Sequence, residues 1–256
     1  MKRKDLQAFL EAKHDQYNRP DFIATDPISV PRRFTRKQDI EIAGFFAATI
    51  AWGQRPTILR NANKLMQAMD ESPYEFIQHH RKSDLKRLDT FVHRTFNNTD
   101  CLYFIQALKH LYKQFDSLEE AFVQGQQGKM EHTGEAIGRF RKLFFTLPHP
   151  DRTRKHLSDP AEGSAAKRMN MFLRWMVRKD QRKVDFGIWN QIPASALMCP
   201  LDVHSGNVAR KLGLLTRTQN DWKAVTELTE ALRRFDPADP VKYDFALFGL
   251  GVFEGF

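Results

Sequence analysis

Lys167 and Asp202 are the residues whose type and setting could do covalent chemistry. Lys167 opens the stretch KRMNMFLRWMVR, whose other face is apolar through Met169, Phe172, Leu173 and Met176. Asp202 lies in Pro-Leu-Asp-Val-His, directly before the basic amphipathic segment NVARKLGLL. A lysine amine attacks carbon only when neutral, and an apolar, cationic surrounding favours that form. Arg168, Met169, Phe172 and Trp175 supply such a surrounding along the chain. An aspartate at a helix start, close to amide donors, stays ionised and can stabilise a cationic transition state. Taken singly, each residue has a plainer reading. Asp202 is then a helix cap and Lys167 a solvated first-turn side chain.

The elements that must position them are helices. Apolar residues recur at helical spacing over 38–51, through Ile40, Ala43, Phe46, Ala47 and Ile50, and again after Pro56 through Ile58, Ala62, Leu65, Met66 and Met69. Further helices are expected over 100–115, from the capping-box spacing Ser117-Leu-Glu-Glu120, and over 133–145, 164–178 and 221–235. Asp239 is placed to cap a last helix, with Pro240 in its first turn and Gly249 or Gly251 ending it. No two-residue turn joins alternating runs, so hairpins are not signalled. The stretches expected to be least ordered are 1–36 and the proline-containing loop 146–162. The reading is an all-α fold of about ten helices.

Composition bounds the rest. The 256 residues carry 40 Lys+Arg against 31 Asp+Glu, a net charge of +9, which favours a polyanionic partner such as nucleic acid, the plainer reading being solubility alone. A hydrophobic share of 41%, with 21 Phe, is enough for a large core and excludes disorder over the whole chain. No apolar run reaches the roughly 18–20 residues of a membrane span, and the charged N-terminus lacks a signal-peptide core. Two cysteines, Cys101 and Cys199, exclude a disulfide scaffold, a four-cysteine zinc site and a four-cysteine iron–sulfur cluster. His204 lacks partners at a metal-ligand spacing, so no metal and no cofactor are expected.

In order along the chain, these motifs resemble the helix-hairpin-helix DNA glycosylases, the superfamily of endonuclease III and the 8-oxoguanine glycosylases. That family places its lysine in K-x-x-N-x-x-L behind a Gly-rich hairpin. The chain has Gly163-Ser-Ala-Ala-Lys167-Arg-Met-Asn170-Met-Phe-Leu173. The family's V-D-T-H and R-V-x-x-R-L-G find their match in Leu201-Asp202-Val203-His204 and Val208-Ala-Arg210-Lys211-Leu-Gly213. Gln54, after the apolar run 47–52, matches the family glutamine that probes the duplex, and YDFALFGLG is similar to the last helix of the archaeal 8-oxoguanine branch. The hairpin is degenerate, since within Asp159-Pro-Ala-Glu-Gly163-Ser-Ala-Ala-Lys167 only Gly163 and Lys167 fit. The 35-residue spacing from Lys167 to Asp202 is long for endonuclease III. The KRMNMFLRWMVR and PLDVH segments also resemble an uncharacterised bacterial family of conserved proteins.

The resemblance implies two interlocked helical subdomains with a cleft between them. One would comprise residues 1–39 and 176–256, the other 40–175 with the degenerate hairpin near 155–178. It implies a DNA glycosylase with AP-lyase activity on an oxidised, 8-oxoguanine-like base in damaged duplex DNA. Lys167 would be the Schiff-base nucleophile and Asp202 its assistant. DNA contacts are implied for Gln54, Gly163, Arg168, Asn170, His204, Arg210 and Lys211, and a flipped base would need pocket walls such as Trp52 and Trp175. Basic clusters at Arg32-Arg33, Arg36-Lys37, Arg152 to Lys155, Arg178-Lys179 and Arg182-Lys183 are candidates for phosphate contacts. A cytoplasmic, nucleoid-associated monomer is expected. The alternatives are a non-catalytic nucleic-acid-binding protein on the same fold and an interaction protein using its many Phe residues.

Overall fold

The computed structural model describes residues 2–256 and is all-α apart from one small hairpin. Its helices are α1 Arg3–Tyr17, α2 Lys37–Thr49, α3 Arg55–Ala68, α4 Pro73–His79, α5 Lys82–Leu85, α6 Asn98–Tyr112 and α7 Leu118–Val123. They continue with α8 Gly134–Phe144, α9 Lys167–Val177, α10 Val203–Lys211, α11 Trp222–Arg233 and α12 Asp244–Phe253. Strands β1 Val92–His93 and β2 Phe96–Asn97 pair antiparallel, with Val92 opposite Asn97. The chain falls into two compact units. The first is Met1–Phe22, Gln126–Ile137 and Asp159–Phe256, and the second is Ile23–Gly125 and Gly138–Ser158. The expected boundaries were 39/40 and 175/176; here 23–39 group with the second unit, while 126–137 and 159–175, with α9, group with the first. Lys167 and Asp202 therefore share one unit.

The core of the first unit is aliphatic. Leu6 and Leu10 of α1, Val208 and Ala209 of α10, Val225, Leu228 and Leu232 of α11, and Ala246, Leu247 and Leu250 of α12 are all buried together. Helix α12 is apolar on nearly every side, as a helix packed against both α1 and α10 must be. Gly249 lets Tyr17 lie on it: a Cβ there would fall 2.1 Å from the tyrosine ring. Helix α1 lies inside the stretch expected to be least ordered. It is ordered because Leu6, Leu10 and His14, at i, i+4 and i+8, are buried on one face of its charged surface.

The core of the second unit is aromatic. Phe45 packs against Phe104, Phe140 and Phe144 with ring centroids 5.7, 5.6 and 5.5 Å away. Within it Glu41 is buried, and its carboxylate accepts from the Tyr112 hydroxyl (2.8 Å), the Ser117 hydroxyl (2.5 Å) and the Leu118 amide (3.0 Å). The start of α7 is thus fixed by a buried acid. Ser117 caps the Glu119 amide, while Glu120 turns back to Asp116 rather than closing the expected box with Ser117. The unsignalled hairpin turns through Arg94, which adopts φ +55°, and its sequence lacks the Asn-Gly or Asp-Gly pair such turns usually show.

Candidate active site

Three observations locate the start of α9. Asp159 accepts from the Ala161 amide at 2.9 Å and opens a 3-10 turn, Pro160–Glu162, which Gly163 closes at φ +83°. Ser164 then bridges to Asp221, and the Trp222 amide donates to the Gly163 carbonyl at 2.9 Å. Ala166 is left-handed at φ +44°, a conformation that costs an L-residue about 1–2 kcal/mol. It is held by Asn170, whose amide donates to the Ala166 carbonyl at 3.0 Å and whose side chain donates to the Ala165 carbonyl at 3.1 Å. Helix α9 begins at the next residue, Lys167. The element just before Gly163 is therefore a single 3-10 turn, where a helical hairpin would have its first helix.

Asp202 caps α10. Its Oδ1 accepts from the Ser205 amide at 3.0 Å and the Ser205 hydroxyl at 3.1 Å, while its own amide donates to that hydroxyl at 3.0 Å. The other carboxylate oxygen, Oδ2, stands 3.6 Å from Lys167 Nζ, with the two side chains 29% and 24% exposed. Asp202 is thus a cap through one oxygen and a neighbour of Lys167 through the other. Both side chains are partly open to solvent.

The loop 216–222 holds this pair in place. Asn220 donates to the Asp202 carbonyl at 3.1 Å and accepts from Arg210 Nη2 at 2.6 Å. Arg210 also donates to the carbonyls of Arg217 (2.8 Å) and Thr218 (2.9 Å). Gly206 leaves the room this needs, since a Cβ there would lie 2.9 Å from Asn220 Oδ1. Expected to reach for DNA, Arg210 instead pins the loop that supports Asp202. Asn170 likewise works inward and is buried. Lys211 is exposed with Nζ 5.6 Å from the Phe256 ring, and His204 and Gly163 are exposed. Arg168 is half-buried, and that burial brings its guanidinium down to about 10.

Trp175 is not a pocket wall: it is 0% exposed, in the core. Trp52 and Gln54 belong to the second unit. Trp52 is half-buried between His93 and His156, with centroids 4.9 and 6.1 Å away, and Gln54 is exposed at the start of α3. Among the described residues no group of three or more His, Cys, Asp or Glu side chains is gathered as a metal site.

Sequence reasoning missed a buried charge network beneath the pair. Two turns along α9 from Lys167, Arg174 donates to Asp185 at 3.2 Å and to Asp244 at 2.5 Å. Arg178, 2% exposed, reaches Asp185 (3.2 Å), Asp180 (2.8 Å) and Asp239 (2.9 Å). Asn18 joins Asp180 at 2.6 Å and His14 at 2.9 Å. Burial, then the Arg178 and Arg182 charges, bring His14 down to about 4. Burial also pushes the Asp244 carboxyl up to about 6; Arg174 opposes the rise, Asp202 adds to it and Lys167 opposes it. Asp244 thus feels both members of the pair. The signal was two arginines four apart inside an apolar helix face, which has no use for charge unless acids meet it there.

The chain belongs to the family described as protein of unknown function (DUF2400), whose model matches residues 26–253. No curated protein and no solved structure matches it.

Proposed function

We propose that the protein is a DNA base-excision glycosylase with AP-lyase activity, acting on an oxidised base of the 8-oxoguanine kind. The observation that carries this reading is the approach of Lys167 Nζ to Asp202 Oδ2 at 3.6 Å across 35 residues of sequence, in a half-open setting. Among lysine chemistries, an amine beside a lone carboxylate suits attack at a sugar carbon that is becoming cationic. In this reading Asp202 Oδ2 takes the ammonium proton, the departing base carries that proton away, and the carboxylate, ionised again, faces the charge growing on the sugar. Its second oxygen, tied to Ser205, keeps the carboxylate from turning away.

The Lys167 nitrogen then bonds C1′ as the glycosidic C–N bond breaks, and the base leaves with a proton. Opening of the sugar ring gives an imine between Lys167 and C1′. Loss of a C2′ proton expels the 3′ phosphate and cuts the strand, and water returns the lysine. Borohydride reduces the imine to a stable amine, so a covalent protein–DNA adduct tests the reading. Wild type should form it on duplex containing 8-oxoguanine or an abasic site, and Lys167→Gln should not. No adduct from the folded protein on abasic DNA and a panel of oxidised bases would overturn it. A second reading, non-catalytic nucleic-acid binding, draws support from the 3-10 turn that stands in place of a hairpin helix. It expects salt-sensitive binding that survives Lys167→Ala with no strand cleavage.

A further inference from the structure

The basic clusters that stand out in the sequence are mostly engaged with acids. Arg33 pairs with Glu71 (3.1 Å), Lys37 with Glu119 (3.2 Å), Arg152 with Asp100 (2.7 Å) and Arg182 with Asp15 (2.5 Å), and Arg178 is buried. Three scattered cations of the second unit behave differently. Arg60, Lys64 and Arg94 are exposed, and none has an acidic partner among the described residues. Arg60 and Lys64 lie one turn apart on α3. Arg94 forms the tip of the β1–β2 turn, and its guanidinium lies against Gly53, where a Cβ would be 3.1 Å from Nη1. Gly53 itself sits at φ +100°, so the turn that carries Gln54 needs glycine on two counts.

Hairpin and helix are fastened together. His93 Nε2 donates to the Trp52 carbonyl at 3.1 Å, and its Nδ1 accepts from Asn61 of α3 at 3.0 Å. Between them lies a cavity of about 250 Å³, lined by Asn61, Lys64, Arg87, Thr90 and Val92 among others. The hairpin and α3 are thus held together, and each carries exposed cations: Arg94 at the turn of the hairpin, and Arg60 and Lys64 on the helix.

We propose that this face, the β1–β2 hairpin with the adjoining side of α3, is a duplex-DNA backbone-contact surface, with Arg60, Lys64 and Arg94 on phosphates. The choice of DNA among polyanions rests on the function proposed above; the face itself rests on charge and geometry. The test is fluorescence anisotropy of the full chain on a fluorescent duplex across a salt series. The triple variant Arg60→Glu, Lys64→Glu, Arg94→Glu should bind at least about 10-fold more weakly near 0.1 M salt, and its log–log salt slope should fall by about 3. Arg94→Gln alone should lower the slope by about 1. A control reversing exposed Lys4, Lys113 and Lys223 matches the charge change and should lose far less. Equal loss in control and face variants, or no duplex binding by wild type at low salt, overturns the proposal. A wild type that binds through this face yet forms no borohydride adduct sinks the chemistry and leaves the face standing. An adduct-forming wild type whose binding ignores the face variants does the reverse.

Discussion

His14 and Asp244 should set opposite pH dependences of stability that nearly cancel in the wild type. Both are buried in the first unit on the Arg174–Arg178 network. His14 is held down to about 4 from 6.5, chiefly by burial and then by Arg178. The unfolded chain therefore binds a proton between pH 6.5 and 4 that the folded chain refuses, and stability falls as pH drops through that window. Asp244 is pushed up to about 6 from 3.8, chiefly by burial. Here the folded chain holds the proton that the unfolded chain has lost, so stability falls as pH rises from 3.8 to 6. Displacements of this size correspond to about 3 kcal/mol each. Between pH 4 and 6 the two contributions offset one another. Asp244→Asn should leave His14 alone, so stability rises with pH by up to about 3 kcal/mol across the window. His14→Gln should leave Asp244 alone and give the opposite slope. Urea unfolding at half-unit pH steps reads both, followed by fluorescence of Trp175, Trp189 and Trp222, which all lie in the first unit. At the usual urea sensitivity of about 1–3 kcal/mol per molar, the midpoints should move by about 1 M or more. If both variants track the wild-type curve in parallel, the burial argument for these two groups fails.

Other outcomes follow from the same contacts. Arg178→Met strands Asp180 and Asp239 without their cation, leaves Asp185 with Arg174 alone, and should cost about 3–5 kcal/mol at pH 7, whereas Arg182→Ala, at the partly exposed pair with Asp15, should cost less than about 1 kcal/mol by the same unfolding assay. Asn220→Ala removes the hydrogen bond to the Asp202 carbonyl, worth about 1 kcal/mol in stability. Because it frees the Asp202 backbone, it should slow single-turnover adduct formation by about 10–100-fold while DNA affinity changes little. The combination of Asn220→Ala with Arg210→Ala should be little slower than the worse single variant, since both act through one contact.

The helices were legible where apolar residues recur with helical period and a cap or glycine marks the ends. The expected spans 38–51, 133–145 and 221–235 meet α2, α8 and α11 within two residues at either end. Helix α1 was not legible, because its buried stripe is three residues wide in a charged segment. The hairpin escaped because Arg94 takes the left-handed conformation that the rules reserve for Gly, Asn or Asp. At the site, types and order along the chain were enough to pair Lys167 with Asp202. Burial was not readable: Trp175 was offered as a pocket wall and is sealed, and Asp239 was offered as a cap and instead binds Arg178. The same gap hid the Arg–Asp network, since sequence reading treats a charge as solvated until an opposite charge is known to face it. Arg210 illustrates the converse, a cation that the sequence offered to DNA and whose donors are taken by a loop.

In the proposed reaction Lys167 is the amine that forms a covalent bond with the sugar. Borohydride reduction on abasic-site duplex, followed by digestion and mass mapping of the modified peptide, tests it most directly. The sugar remnant should lie on Lys167 within KRMNMFLR, abolished by Lys167→Gln and strongly reduced by Asp202→Asn. Modification of a different lysine, or no modified peptide from folded protein, would contradict it.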